Sequence, residues 1–378
     1  FFVFSHSDNP KLFLSESQGG NVVRTDMINR EQQRVMPYFG LGGAAGKETY
    51  RFNWNAPLIP SPHDKNTVWF AGSVVFKSTD FGTKWTKISP DLTKADPERL
   101  KDAGGPIFTE NTAAEYFATI ISLAESPLKS DVVWAGTDDG NLQITDDGGK
   151  NWSNISGNLP GVPADSSISH IELSNHDANT AYVAVDRHKF DDYRPYVFKT
   201  TNGGQTFKNI TGNLTKNAYV HVVKEDLKNP NVIYAGTELG IFVTHNGGGS
   251  WMELNMKNFP KVAVHDIVLQ ARDNDIILGT HGRSIWVFDD ATPIQNMSDA
   301  VLQKDAHLFE IRPAYRFATR FTRYGISDEP FTGANPSSGA LITYYLKNKA
   351  DNKAGARIHE AVDSFVEIKK NHAEKQER

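Results

Sequence analysis

Thr145-Asp146-Asp147-Gly148-Gly149-Lys150-Asn151-Trp152 is one of four related octapeptides in this sequence. A close copy, Ser78-Thr79-Asp80-Phe81-Gly82-Thr83-Lys84-Trp85, precedes it. Two weaker copies follow, Thr200-Thr201-Asn202-Gly203-Gly204-Gln205-Thr206-Phe207 and Thr244-His245-Asn246-Gly247-Gly248-Gly249-Ser250-Trp251. The shared pattern is Ser/Thr-x-Asp/Asn-x-Gly-x-x-Trp/Phe, and each part has a task in a tight hairpin. The Asp or Asn accepts backbone N–H bonds across the turn, the glycine supplies a positive φ, and the aromatic anchors the returning strand. One such octapeptide would carry little weight, but four, each set between apolar strands, define a repeat.

Working outward from each turn, the same order recurs: an apolar strand, a polar turn, a strand of the Val-Trp-Ala-Gly type, a short loop, and the turn strand. One unit reads Ile168 to Leu173, Ala181 to Val185, Tyr196 to Thr200 and Thr206 to Ile210. Another reads Tyr219 to Lys224, Val232 to Gly236, Ile241 to Thr244 and Trp251 to Leu254. Four short strands in a repeat of roughly 45 residues are what one propeller blade needs. Units without a full turn motif flank these, at Phe1 to Met36 and at Val262 to Asp289. The fold class expected is therefore an all-β propeller of four-stranded blades, six of them visible. A seventh is expected from sequence upstream of Phe1, since the chain opens on a strand without an initiator Met.

The sequence resembles the BNR/Asp-box repeat proteins of the sortilin-like and xyloglucanase-like propeller group. The phrases that carry the likeness are Arg51-Phe52-Asn53-Trp54-Asn55-Ala56-Pro57, Ser61-Pro62-His63-Asp64, Gly236-Thr237-Glu238-Leu239-Gly240 and Gly279-Thr280-His281-Gly282-Arg283-Ser284-Ile285-Trp286-Val287-Phe288-Asp289-Asp290. They span roughly residues 1–295, and the nearest type is the large bacterial protein with BNR repeats that carries two propellers and then a β-sandwich. The resemblance implies an exported, extracytoplasmic bacterial protein, either a binding module or a glycoside hydrolase. Unlike sortilin receptors, this chain has no cysteine, hence no cysteine-rich module.

Bulk composition agrees with that class. The 378 residues, 39% hydrophobic and 11% aromatic, suffice for a large core. A formal charge of −5 gives no field to gather phosphate, so no nucleic-acid partner is expected. No apolar run approaches the ~18 residues of a membrane span, and no signal-like segment opens the chain. Five glycosylation sequons, at Asn151, Asn154, Asn209, Asn213 and Asn296, follow largely from the repeat, because four of them fall on the outer strand after a turn octapeptide.

Three regions are expected: the propeller over 1–295, a linker and the first strand of a β-sandwich over 296–346, and a charged helical tail over 347–378. The strand is Ala340 to Leu346. The helix is Ala356 to Lys370, with Ile358, Val362, Phe365 and Val366 on one face. The junction Lys347 to Gly355 is expected to mark a place where further sandwich sequence is missing.

In an antiparallel four-stranded blade, the second-to-third-strand loop and the link to the next blade open on one face, and the turn octapeptides open on the other. The first face then collects Gln18-Gly19-Gly20, Glu48 to Asn55, the insertion Lys94 to Tyr116, Asp138-Asp139-Gly140, Asp186 to Arg194, Glu238-Leu239-Gly240 and His281-Gly282-Arg283. Long polar loops on a rigid scaffold are where function usually sits. The ligand-binding candidates are Trp54, Asp186, Arg187, His188, Asp191, Asp192, Tyr193, Arg194, His281 and Arg283. Tyr193 would stack on a ligand, and the Arg and Asp groups would give directional hydrogen bonds. The bland alternatives are a self-paired charged loop and, for Arg283, a bond to neighbouring backbone. His170 and His221 fall at matching places on innermost strands, with Asp266 near the equivalent place beside His265. They read either as a polar ring open to an ion or as ordinary hydrogen-bonded histidines. No metal and no cofactor is assigned.

Two functions compete. The first is a noncatalytic exported propeller that binds a glycan or polypeptide, or joins other cell-surface proteins. The second is a polysaccharide hydrolase needing a second propeller, for which Asp138, Asp139 and Glu238 are the catalytic candidates. Such an enzyme needs a proton donor and a base or nucleophile about 5 to 10 Å apart.

Overall fold

A computed structural model describes residues 2–40, 45–101, 104, 107–108, 116–256, 258–314 and 339–348. The chain is an all-β propeller with six blades, five of them four-stranded and the sixth three-stranded. The first blade is Val3–His6, Asn9–Ser17, Asn21–Asp26 and Glu31–Arg34; the second is Leu58–Pro60, Val68–Ala71, Val75–Ser78 and Thr86–Lys87. The third is Ile120–Glu125, Val133–Thr137, Leu142–Thr145 and Ser153–Asn154; the fourth is Ser167–Leu173, Ala181–Arg187, Asp192–Thr200 and Lys208–Asn209. The fifth is Val220–Glu225, Ile233–Thr237, Gly240–Thr244 and Met252–Glu253; the sixth is Val264–Gln270, Asp275–Thr280 and Ile285–Phe288. In each blade the strands lie side by side in chain order.

The chain divides into two compact units. The first comprises Phe1–Leu254, Pro260–Val268 and Leu278–Trp286, and the second comprises Asn255–Phe259, Leu269–Ile277 and Val287–Arg378.

Within the first unit the four octapeptides all join a third strand to a fourth, and their geometry repeats bond for bond. The first-position hydroxyl accepts the fifth-position glycine amide at 2.9 Å for Ser78–Gly82, 3.0 Å for Thr145–Gly149 and 3.1 Å for both Thr200–Gly204 and Thr244–Gly248. The third-position Asp80, Asp147, Asn202 and Asn246 accept the amides of Lys84, Asn151, Thr206 and Ser250 at 2.8, 3.0, 3.0 and 2.9 Å. Those glycines have φ of 83°, 95°, 84° and 94°, a region that costs any other residue strain.

The eighth position ties neighbouring blades together. The indoles of Trp85, Trp152 and Trp251 donate to the carbonyls of Val35, Ile88 and Ile210, each just past the fourth strand of the preceding blade. Phe207 has no N–H to donate and instead packs edge-on against Trp134 of the preceding blade. Asn213 closes the same seam from the other side, accepting the Trp251 amide and donating to its carbonyl. That contact gives this sequon asparagine a structural task.

Apolar residues are buried between blades, on both faces of the middle strands. One cluster joins Leu14 and Val22 to Phe70 and Phe76, and the next joins Trp69 and Val75 to Ile120 and Val133. Two more join Trp134 and Leu142 to Ile171 and Val183, and Tyr182 and Val197 to Val223 and Ile233. The second strands Val133–Thr137 and Ile233–Thr237 are wholly buried, which explains their continuous apolar reading. The first strand of the next blade passes so close to these second strands that a Cβ on Gly136 would lie 2.4 Å from Ile168, and one on Gly236 would lie 2.6 Å from the Val264 carbonyl. Glycine in the Val-Trp-Ala-Gly strand is therefore a packing requirement.

In the second unit, short helices Thr292–Asn296 and Asp299–Leu302 precede a two-stranded ladder of Ala306–Leu308 with Tyr344–Leu346. Met297, Val301, Phe309 and Tyr345 form its small core. The strand expected over Ala340 to Leu346 is thus present in its last three residues, paired back onto the segment after the helices. The helix expected over Ala356 to Lys370 lies outside the described residues. No described helix is long and apolar enough to cross a membrane.

Candidate functional site

Connections between second and third strands leave the blades on the side opposite the octapeptides, and in the first unit they meet the starts of the innermost strands. The segment Asp186 to Arg194 is shorter as a loop than its sequence implies. Strands run into it from both ends, to Arg187 and from Asp192, leaving a single turn at His188–Phe190 and Asp191 at φ 57°. Its charges divide in two. Asp192 takes a two-point contact from Arg194 at 2.8 Å on both oxygens, with a third bond from the Tyr196 hydroxyl at 2.8 Å and an ion pair to Arg187 at 3.4 Å. The Arg194 guanidinium holds that carboxyl well below the usual carboxylate range. Arg187 also donates to Ser166 at 2.7 Å and lies over Phe190. This half of the loop is self-paired.

The other half reaches outward. His188 bonds Asp186 through Nδ1 at 2.6 Å and stacks on Tyr219, with centroids 4.9 Å apart and planes 21° apart. Tyr193, 47% exposed, lies against the same Tyr219 at 6.2 Å. The row of rings continues from Tyr219 to His221 at 4.9 Å, from His221 to His265 at 4.0 Å, and from His265 to His281 at 4.8 Å. Six aromatic or imidazole rings supplied by three blades thus form one wall, with Asp186 and Glu238 along it. Glu238 Oε2 accepts from His221 Nε2 at 3.0 Å.

The bulged starts of the innermost strands aim these side chains. The pairing register slips between Val220 and Val222, and the residue at the slip is His221. A bulge leaves one residue unpaired and re-aims its side chain. The same slip between Ser167 and His170 in the fourth blade puts His170 elsewhere. Its Nδ1 is sealed from solvent without a hydrogen-bond partner among the described residues, and burial keeps the imidazole neutral, well below its ordinary pKa. In the sixth blade the Ala263 carbonyl accepts the His281 amide as the Tyr219 carbonyl accepts the Glu238 amide, so His265, not Asp266, holds the place of His221; Asp266 accepts the Ile267 amide at 2.9 Å.

Protonation along the wall follows from crowding. Burial lowers His265 to about 4, and its neighbours His221 and His281 add to the shift. His221 is also lowered by burial, against the pull of Glu238. Burial would lift Glu238, but hydrogen bonds from His221 and Tyr219 outweigh it and hold the carboxyl below its ordinary value. Tyr219 is pushed up by burial and by Glu238. At neutral pH His221 and His265 are therefore neutral, beside an ionised Glu238 carboxylate.

The other candidates fall into distinct settings. Asp138 is 3% exposed; its Oδ1 accepts the Thr119 amide at 2.8 Å and its Oδ2 lies 3.1 Å from the Thr119 hydroxyl. Asp139, equally buried, accepts the Lys94 amide at 2.8 Å and the Thr137 hydroxyl at 2.5 Å. Both fasten the start of the Lys94 insertion and the link before the third blade, and neither presents a free oxygen to the surface. Arg283 is exposed and, among the described residues, its side chain bonds Gly282 O of its own turn at 3.2 Å, while its carbonyl accepts the Trp286 indole at 2.8 Å. Trp54 is 40% exposed at the link into the second blade. Tyr219 and His265 were not among the sequence candidates; the signal for them was the Tyr219-Val220-His221 phrase and the His265-Asp266 pair at the starts of consecutive innermost strands.

Comparison with solved structures gives the fold. The GH74 xyloglucanase from Xanthomonas campestris matches with a TM-score of 0.52 at 13% identity, covering 76% of this chain and 43% of that one. Extracellular domains of two B. thetaiotaomicron proteins also match. One is from a one-component system, with TM-score 0.46, 14% identity, and 77% and 32% of the two chains covered. The other is from a hybrid two-component system, with TM-score 0.49, 10% identity, and 76% and 33% covered. The chain spans less than half of each of these three proteins. No protein-family model and no curated protein matches the sequence.

Proposed function

We propose that the chain is an extracytoplasmic, noncatalytic recognition module that holds a glycan on the face bearing the second-to-third-strand connections. The supporting observation is the unbroken row Tyr193, His188, Tyr219, His221, His265 and His281. A sugar ring presents an apolar C–H face and a rim of hydroxyls. Stacked rings match the first, and the Asp186 and Glu238 carboxyl oxygens beside them accept from the second. The strands beneath are paired and buried, so the surface is preorganised and little ordering entropy is lost on binding. Export rests on the resemblance to exported BNR/Asp-box propellers.

Hydrolysis is the weaker reading on this geometry. A glycosidase needs one carboxyl protonated and one ionised, both facing the scissile bond. Asp138 has a carboxyl raised to about 7, as a proton donor would, but it is sealed inside against Thr119. Glu238 faces outward but is held ionised by His221.

The test is binding of the full chain to a polysaccharide panel that includes xyloglucan and other β-glucans, with release of reducing ends followed in parallel. Binding without release is expected. Tyr193→Ala should weaken the best ligand at least about tenfold, and Tyr193→Phe should retain most of the affinity. Release of reducing ends, or affinity indifferent to Tyr193→Ala, would sink the proposal. Capture of polypeptides but no glycan would transfer the surface to the other partner class.

A further inference from the structure

The wall contains a second arrangement that stacking does not require. A ring nitrogen of His221, a Glu238 carboxylate oxygen and a ring nitrogen of His265 lie within 4.8 Å of one another. They come from three separate places: the bulge opening the innermost strand of the fifth blade, the second-to-third-strand connection of that blade, and the innermost strand of the sixth. The His221 and His265 rings have centroids 4.0 Å apart and planes tilted by 35°, and the His281 ring lies 4.8 Å further on. Among the described residues neither nitrogen of His265 has a hydrogen-bond partner.

We infer that His221, His265 and Glu238 form a binding site for a single divalent transition-metal ion of the zinc class, with one coordination position open to solvent. Two imidazole nitrogens and a carboxylate oxygen are the donor set that borderline ions such as Zn²⁺ prefer, whereas Ca²⁺ and Mg²⁺ favour all-oxygen shells. Ligands at about 2.0 to 2.2 Å from a tetrahedral ion stand on the order of 3.3 Å apart. The His221–Glu238 pair is already at 3.0 Å, and only the exposed His265 ring has to turn inward. An ion bound there replaces the hydrogen bond between His221 and Glu238. The fourth position faces the solvent side of the wall, where a hydroxyl or carboxylate of a bound molecule could displace water. The metal site stands on its own donor set and holds whether or not the surface binds glycan.

The experiment is a zinc titration of the full chain after chelator treatment, read by calorimetry, with Co²⁺ uptake followed by visible absorption. One equivalent should bind with micromolar or tighter affinity, and Co²⁺ should give the intense visible band of a tetrahedral site. His265→Ala and Glu238→Gln should each weaken binding at least about tenfold. His63→Ala, whose ring bonds the Ser126 carbonyl on the octapeptide side, should leave the titration unchanged. His265 and Glu238 are exposed enough that their variants should melt with the parent, so the test does not depend on the more buried His221. Absence of binding, or equal binding by the parent and by both variants, would overturn the inference.

Discussion

Asp138 and Glu238 are carboxylates on equivalent connections of the third and fifth blades, yet their surroundings set opposite protonation states. Glu238 meets an imidazole and a phenol and stays ionised. Asp138 is desolvated and sits beside Asp139, which outweighs the Thr119 amide and lifts its carboxyl to about 7. A proton on Asp138 Oδ2 has somewhere to go: the Thr119 hydroxyl at 3.1 Å, itself 3.4 Å from the Tyr116 carbonyl. The sign of the linkage follows. The folded form holds its proton up to about pH 7 and the unfolded form only to about 4, so stability falls as pH rises between those values. Asp138→Asn removes that loss while keeping an acceptor for the Thr119 amide and a donor for its hydroxyl. In urea unfolding at pH 8 the variant should gain about 2 to 4 kcal/mol over the parent, shrinking to nothing near pH 4. A variant less stable than the parent at pH 8 would show that the carboxyl is ionised in the fold.

At the scale of elements, the octapeptide turn was the most legible feature of the sequence, because all its bonds lie within eight residues. The tryptophan that ends it was legible only in part. Its anchoring role could be read, but its target, a carbonyl of the preceding blade, is some 40 residues or more away in sequence. Trp251 is 2% exposed, and Ile210 is buried beneath it. Trp251→Phe should cost about 1 to 2 kcal/mol through the unpaired carbonyl, and Trp251→Ala about 3 to 5 kcal/mol through the cavity as well. Chemical denaturation would read both. Phe207, which fills the same place in the fourth blade without an indole, shows that the seam tolerates the milder change. Equal losses for the two variants would mean that the indole hydrogen bond contributes nothing. The wall was less legible than the turns, for a local reason: bulges at the starts of the innermost strands break the two-residue alternation. His170, read as the match of His221, sits one place further along, paired with Ala184 as Val222 is with Gly236, and His265, not Asp266, holds the place of His221.

Across the whole chain, burial is uneven in a way that repeat architecture explains. A blade in this fold is stabilised chiefly by its two neighbours, so stability is close to a sum over blade interfaces. The second strands of the third and fifth blades, Val133–Thr137 and Ile233–Thr237, are covered on both faces. In the sixth blade Val268, Ile285 and Val287 remain exposed. Amide exchange measures this difference directly, because local opening is easiest where few apolar contacts must break. The amides of Val133–Thr137 and Ile233–Thr237 should exchange only through global unfolding, with a denaturant dependence matching the equilibrium transition. Those of Ile285–Phe288 should exchange through smaller openings that depend weakly on denaturant. His265 and His281 belong to this less protected blade while His221 and Glu238 belong to the protected one, so a metal ion spanning them would couple the two. Saturating zinc should therefore slow exchange at Ile285 and Trp286 and leave Val133–Thr137 unchanged. Uniform slowing across all blades would mean that the ion acts on global stability and does not join these two.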